Sequence, residues 1–279
     1  MKKLIFLLIW MFGINLTING AHADIIAQGD DCGEDCHWEI NDEGLLNITG
    51  SGAIKDYTRV NCDTECTTSA PWKSYVSQVT SLNIGKGITS IGYDAFEDML
   101  YIRQANLPDG LESIGALAFH SCSSLQNLVL PSTVKEIGSW GISHTGIKSL
   151  VLSEDLESAG SYSFGGNSHL KALIIPENLE SLDVNVFAGV AAYGKTGIKE
   201  LYCSAKQMDM CRAAAEKLGI TPILYTKTSD GSYIVDNMRY GTLGCIGEKK
   251  GVRMKRIYTL DEAEKVSKKT GNTFRIRYK

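Results

Sequence analysis

The sequence predicts an α+β solenoid of stacked units about 23 residues long, closed by an N-terminal β-hairpin cap and a C-terminal helix/hairpin cap. Three observations predict it. Gly92, Gly115, Gly138 and Gly160 recur at steps of 23, 23 and 22 residues. Phe96, Phe119, Ile142, Phe164 and Phe187 keep the same beat, with spacings of 23, 23, 22 and 23. Between these landmarks, apolar residues stand in fixed columns. A period of this size, held by several landmarks at once, marks stacked supersecondary units that bury one another's faces.

The chain opens with Met1-Lys2-Lys3, an apolar run from Leu4 to Phe12, and Ala21-His22-Ala23 just before Asp24. A basic start, a short apolar stretch and a small-x-small site read as a secretory signal over residues 1–23. A membrane span would need about 20 apolar residues, and Asn15, Thr17 and Asn19 interrupt this one. The expectation is an exported protein at the cell surface, in the extracellular space or in the periplasm, with no transmembrane segment after cleavage.

Residues 24–75 read as the N-terminal cap. Trp38 and Ile40, then Leu46 and Ile48, alternate with polar residues around Asn41-Asp42-Glu43-Gly44, which has turn chemistry. The pairs Cys32/Cys36 and Cys62/Cys66 flank this hairpin. Four thiolates could hold zinc, but export and an even total of cysteines favour disulfides, either two local bridges or two cross-links. Asn47-Ile48-Thr49 also fits a glycosylation acceptor.

Residues 76–202 carry about five repeat units. Each begins with a short strand whose inward columns are Leu82, Ala105, Leu128, Leu150, Leu173, Leu201 and Ile84, Leu107, Leu130, Leu152, Ile175. Two further apolar columns run Ile88, Leu111, Val134, Leu156, Leu179 and Ile91, Ile114, Ile137, Ala159, Leu182. The glycine column is expected to supply a backbone conformation that a Cβ resists. Pro108, Pro131 and Pro176 sit just past the strands, where a missing N–H does no harm.

Between the inward columns lies an outward one: Asn83, Asn106, Val129, Val151, Ile174, Tyr202. It passes from amides to four apolar groups, and contiguous exposed apolar surface marks contact sites. These six residues are the candidate binding surface, for a protein partner or the chain's own tail. β-Branched residues also favour strands on their own account.

At this point the chain resembles a known family. Ile114-Gly115-Ala116-Leu117-Ala118-Phe119-His120-Ser121-Cys122-Ser123-Ser124-Leu125 resembles the signature of the BspA-like, Treponema-type leucine-rich repeat, and Ile91-Gly92-Tyr93-Asp94-Ala95-Phe96 matches its first half. Later units drift, with Trp140-Gly141-Ile142 and Tyr162-Ser163-Phe164 in place of the Ala-Phe element. The start of the mature chain is similar to secreted bacterial proteins of this class through Trp38, Gly50-Ser51-Gly52, Tyr57 and Ser69-Ala70-Pro71-Trp72. The resemblance implies leucine-rich repeats serving adhesion or recognition of varied protein partners, without a shared catalytic site. It also implies that Cys122 is a packed loop thiol.

Residues 203–244 read as the C-terminal cap: a helix from Ser204 to Leu218 ending at Gly219, then a hairpin. Cys203 and Cys211 are placed to staple the helix to the last strand. Residues 245–279 form a basic tail. There 11 Lys and Arg face 4 Asp and Glu, whereas residues 24–244 hold 15 against 28. Thr259-Leu260-Asp261-Glu262 is a capping box for a helix to about Lys269, and Phe274, Ile276 and Tyr278 alternate with basic residues as a strand. Such a tail could anchor, sort or assemble the protein, or dock on its acidic body.

No enzyme is expected. His120, His144 and His169 fall one, two and five residues after their aromatic-column positions and predict no aligned cluster. Nucleophile-elbow, metalloprotease and phosphate-loop motifs are missing from the sequence. The reading assigns no catalytic residue, metal or cofactor, and export with an acidic body argues against nucleic acid. The expected partner is a host or envelope protein.

Overall fold

The computed structural model describes residues 23–60, 67–183, 185–188, 197–227, 232–235, 245–249, 252–258 and 273–277. Most of the stretch expected to be a signal segment, the residues Cys62 and Cys66, and the stretch expected to form the capping-box helix lie outside them.

Strands β1 (Ile25–Gly29), β2 (Asp35–Asn41) and β3 (Leu45–Ile54) form an antiparallel sheet. The hairpin between β2 and β3 turns where Asn41 accepts the Leu45 N–H on its side chain at 2.9 Å and Gly44 takes φ 81°. A left-handed residue at that point is cheap only for glycine. β1 was not legible in advance, because Ile25-Ile26-Ala27-Gln28 lacks a clean alternation.

β3 is long enough to serve two roles. Its first half pairs in parallel with β6 (Ser81–Ile84) and its second half with β7 (Ile88–Ile91). Two parallel ladders grow from it. One continues through β8 (Gln104–Asn106), β10 (Asn127–Val129) and β12 (Ser149–Val151). The other runs through β9 (Ser113–Ile114), β11 (Glu136–Ile137), β13 (Ser158–Ala159) and β15 (Ser181–Leu182). In register, Ser81 meets Gln104, Gln104 meets Asn127, and Asn127 meets Ser149. A short antiparallel pair, β4 (Arg59–Val60) with β5 (Thr67–Thr68), stands before the first ladder strand.

The core is the set of inward columns read from the sequence. Leu82, Leu128, Leu150, Leu173 and Leu201 are buried, as are Ile91, Ile114 and Ile137. Phe96 stacks on Phe119 at 5.3 Å, and Phe164 on Phe187 at 6.1 Å. Trp72, which precedes the ladder strand β6, extends this column backwards. It stacks on Phe96 at 5.3 Å, and its indole N–H donates to the Ala95 carbonyl at 2.7 Å.

The glycine column works differently from the expectation. Gly92, Gly115, Gly138 and Gly160 are absent from the positive-φ residues, which instead include Asp94, Leu117, Trp140 and Tyr162, two positions further on. Glycine is required because coils touch. A Cβ on Gly115 would lie 2.7 Å from the Gly92 carbonyl carbon, one on Gly160 would lie 2.7 Å from the Ser139 nitrogen, and one on Gly138 would run into the backbone of Ala116.

After β12, the described residues begin a second sheet with β14 (Ala172–Ile174), β16 (Glu200–Cys203) and β17 (Ile223–Lys227). Helix α1 (Met208–Leu218) follows a turn of 3-10 helix, Ala205–Gln207, and ends on Gly219 in the left-handed conformation. β17 pairs antiparallel with β18 (Ser232–Val235), and the sheet continues through β21 (Thr273–Arg277), β19 (Cys245–Lys249) and β20 (Val252–Tyr258). Strands on both sides of residue 245 therefore share one hydrogen-bonded sheet. The charge change at residue 245 marks no break in it, because β18 bonds directly to β21.

Candidate recognition surface

The outward face of the first ladder begins with a chain of amides. Asn83 donates to Asn47 at 2.8 Å, and Asn47 donates to Glu39 at 2.9 Å. These bonds run across three adjacent strands and fix the side chains along the ladder. They also hold the Asn47 amide that the glycosylation motif would use.

The next two positions are open. Asn106 is exposed, and Val129 is 68 % exposed, the most exposed large apolar residue among those described. Beside them lies a hollow of about 250 Å³ lined by Gln104, Asn106, Leu107, Asp109, Val129 and Pro131. Val151 follows in register with Val129 on β12.

The column does not stay open to its end. Ile174 and Tyr202 are both 0 % exposed, which corrects the expectation that they face solvent. β14 is buried at Ala172, Leu173 and Ile174 alike, and the Tyr202 hydroxyl donates to Glu200 at 2.6 Å. A strand covered on both faces reads as a continuous apolar run. Ala172-Leu173-Ile174-Ile175 is such a run, and this signal could have separated these positions from Val129.

Cys32 and Cys36 form a local disulfide. Cys203 and Cys211, expected to staple the helix to the last strand, are instead free buried thiols at the junction of β16 and α1. A hydrogen bond between them favours thiolate at Cys203 and opposes it at Cys211. Cys122 is buried, donates to the Phe96 carbonyl at 3.1 Å, and has its thiol pushed up to about 12 by burial. That environment suits packing and not nucleophilic attack.

Two polar clusters escaped the sequence. Asp94 and Glu97 are buried beside each other, and the Arg59 guanidinium of β4 donates a hydrogen bond to Glu97. Burial, then the neighbouring Asp94, pushes the Glu97 carboxyl up to about 8. Further along, the His120 and His144 rings meet edge to face at 5.1 Å, and Trp140 stacks on Tyr162 at 4.5 Å. Burial, then His144, lowers His120 to about 4. Counting offsets from the aromatic column missed this meeting, because consecutive coils place near-equivalent loop positions side by side. Among the described residues, no three His, Cys, Asp or Glu side chains group so as to hold a metal ion. Among the same residues, no helix is long and apolar enough to cross a membrane.

Paired parallel ladders on a coil of about 23 residues, with a glycine line and an aromatic column, define a leucine-rich-repeat solenoid. Residues 89–198 match the BspA type leucine rich repeat region in six copies. Among solved structures, the chain is similar to a leucine-rich repeat protein from Eubacterium ventriosum, at 18% identity, TM-score 0.44, over 63% of this chain and 56% of that one. It is also similar to one from Bacteroides ovatus, at 18% identity, TM-score 0.40, over 63% and 62%. The T. pallidum leucine rich repeat protein matches at 20% identity, TM-score 0.38, over 66% and 94%. The chain thus spans about three fifths of the length of the first two. No curated protein matches.

Proposed function

We propose that this chain is an exported, non-catalytic recognition protein that binds a host or envelope protein through the outward face of its first ladder, from Asn83 to Val151. BspA-type repeats point to protein–protein interaction in general. Val129 carries the specific reading. It is an apolar side chain held 68 % exposed on a ladder strand, beside a hollow whose polar lining is Gln104, Asn106 and Asp109. An apolar anchor ringed by polar groups is the usual form of an interaction hot spot.

Val129→Lys tests this. The side chain already projects into water, so folding should be unaffected, while capture of surface proteins by the purified chain should fall at least about tenfold, the scale of losing one anchor. Glu180→Lys, at another exposed position, serves as control. Equal capture by both variants and the parent chain would refute the assignment.

The charge asymmetry favours a second reading, in which the basic tail anchors, sorts or assembles the protein. Because β21 bonds to β18, deleting residues 245–279 would also strip the terminal sheet. Neutralising the tail's Lys and Arg with Gln is therefore the cleaner test of retention at the surface.

A further inference from the structure

The second ladder carries a trench. Its floor is the line of Gly92, Gly115, Gly138 and Gly160, where contact between coils forbids a Cβ. Four consecutive coils therefore present no side chain along one line. The hollow has a volume of about 750 Å³, within the roughly 300–1,000 Å³ usual for ligand clefts. Hydroxyls wall it, with Ser113 and Ser158 on the strands and Ser139 and Ser161 just past the glycines. The floor's amides are already used between coils, Gly115 N–H to Ile91, Gly138 to Ile114 and Gly160 to Ile137.

Charge defines the occupant. The trench is lined by Asp56, Glu136 and Asp183 and by no Lys, Arg or His. Asp56 and Asp183 each accept a backbone N–H, from Tyr93 at 2.6 Å and from Asn185 at 2.7 Å, which fixes both carboxylates in place. Glu136 stands exposed on β11 between them. The ladder order from β3 to β15 makes five steps. At about 4.8 Å per step the carboxylates at the two ends lie about 24 Å apart, with Glu136 about 14 Å from the first. An extended chain rises about 3.3 Å per residue, so about seven residues span the trench.

We infer that this trench is a second binding site, taking an extended cationic peptide laid along the solenoid axis. Its basic side chains would reach Asp56, Glu136 and Asp183, and the serine hydroxyls would bond its backbone. The length excludes a compact small ligand, and three carboxylates without a base exclude an anion. The basic strands β20 and β21 are hydrogen-bonded into the terminal sheet.

Fluorescence anisotropy on the full chain tests it. The probe is a labelled octapeptide with lysines at its first, fifth and eighth positions in a Ser/Thr background, and its twin carries glutamates there. The lysine peptide should bind and the twin should not. Glu136→Lys, and separately Ser158→Tyr, which fills the trench, should each weaken binding at least about tenfold. Val129→Lys, on the other ladder, should leave it unchanged, so that failure here is distinguishable from failure of the first surface. Absence of binding by the parent chain, equal binding of the twin, loss on Val129→Lys, or indifference to Glu136→Lys would each overturn the inference. If Ser158→Tyr does not melt cooperatively, Glu136→Lys at its exposed position decides alone.

Discussion

Glu97 shows what a single residue costs this fold. A carboxyl held at about 8 in the folded chain, against an ordinary value of 4.5, keeps a proton that the unfolded chain releases. By linkage, stability falls as pH rises from about 4.5 to about 8. His120 works in the opposite sense: held at about 4 against 6.5, it removes stability as pH drops through that window. Above about pH 6.5 the His120 contribution is complete, and the remaining decline belongs to Glu97 together with Asp94, which burial pushes in the same direction. Glu97→Gln should flatten the decline in urea-denaturation stability over that interval, and parallel slopes for the two proteins would show that the proton is not held there. None of this was legible in the sequence. Arg59 and Glu97 lie 38 residues apart, and only the fold brings them together. Asn167 was equally hidden: its amide donates to the Ile142 and Phe164 carbonyls at 2.7 and 3.1 Å, and its oxygen accepts from Thr145. It occupies the place in its coil that Cys122 holds two coils earlier, each bonding the aromatic-column carbonyl of the preceding coil.

At the level of elements, the strands of the first ladder were readable because they alternate, two buried positions around one open one. Those of the second ladder were not, because β9, β11, β13 and β15 are two residues long and show no alternation. Their buried column was visible, but its strand character was not. The glycine column was likewise seen and misassigned to backbone dihedral, since sequence period alone cannot tell a required φ from a required closeness. The two causes predict different energetics. Gly138→Ala places a Cβ 2.8 Å from both Ala116 Cα and the Gly115 carbonyl carbon, so two coils must separate. That overpacking should cost about 2–3 kcal/mol. Gly52→Ala, where φ is 79° and a Cβ meets nothing within 4 Å, should cost only about 1 kcal/mol. Chemical denaturation of both variants measures the difference, and a cheaper Gly138→Ala would contradict coil contact as the reason for the glycine.

For the whole molecule, the inward columns explain why the chain folds, and the proposed recognition surfaces are the outward faces of the two ladders. The first offers an apolar anchor among amides and the second a hydroxyl-walled, acidic trench. The candidate column was half legible: Asn83, Asn106 and Val129 lie on the described surface, while Ile174 and Tyr202 are buried on β14 and β16 of a second sheet. The most direct test of recognition through the first ladder is a photo-crosslinking amino acid placed at position 129, with the same group at position 180 as reference, in cells producing the full chain. The account predicts an adduct of discrete mass from position 129 alone. Equal adducts from both positions, or none from position 129 while the protein still captures its partner, would contradict it.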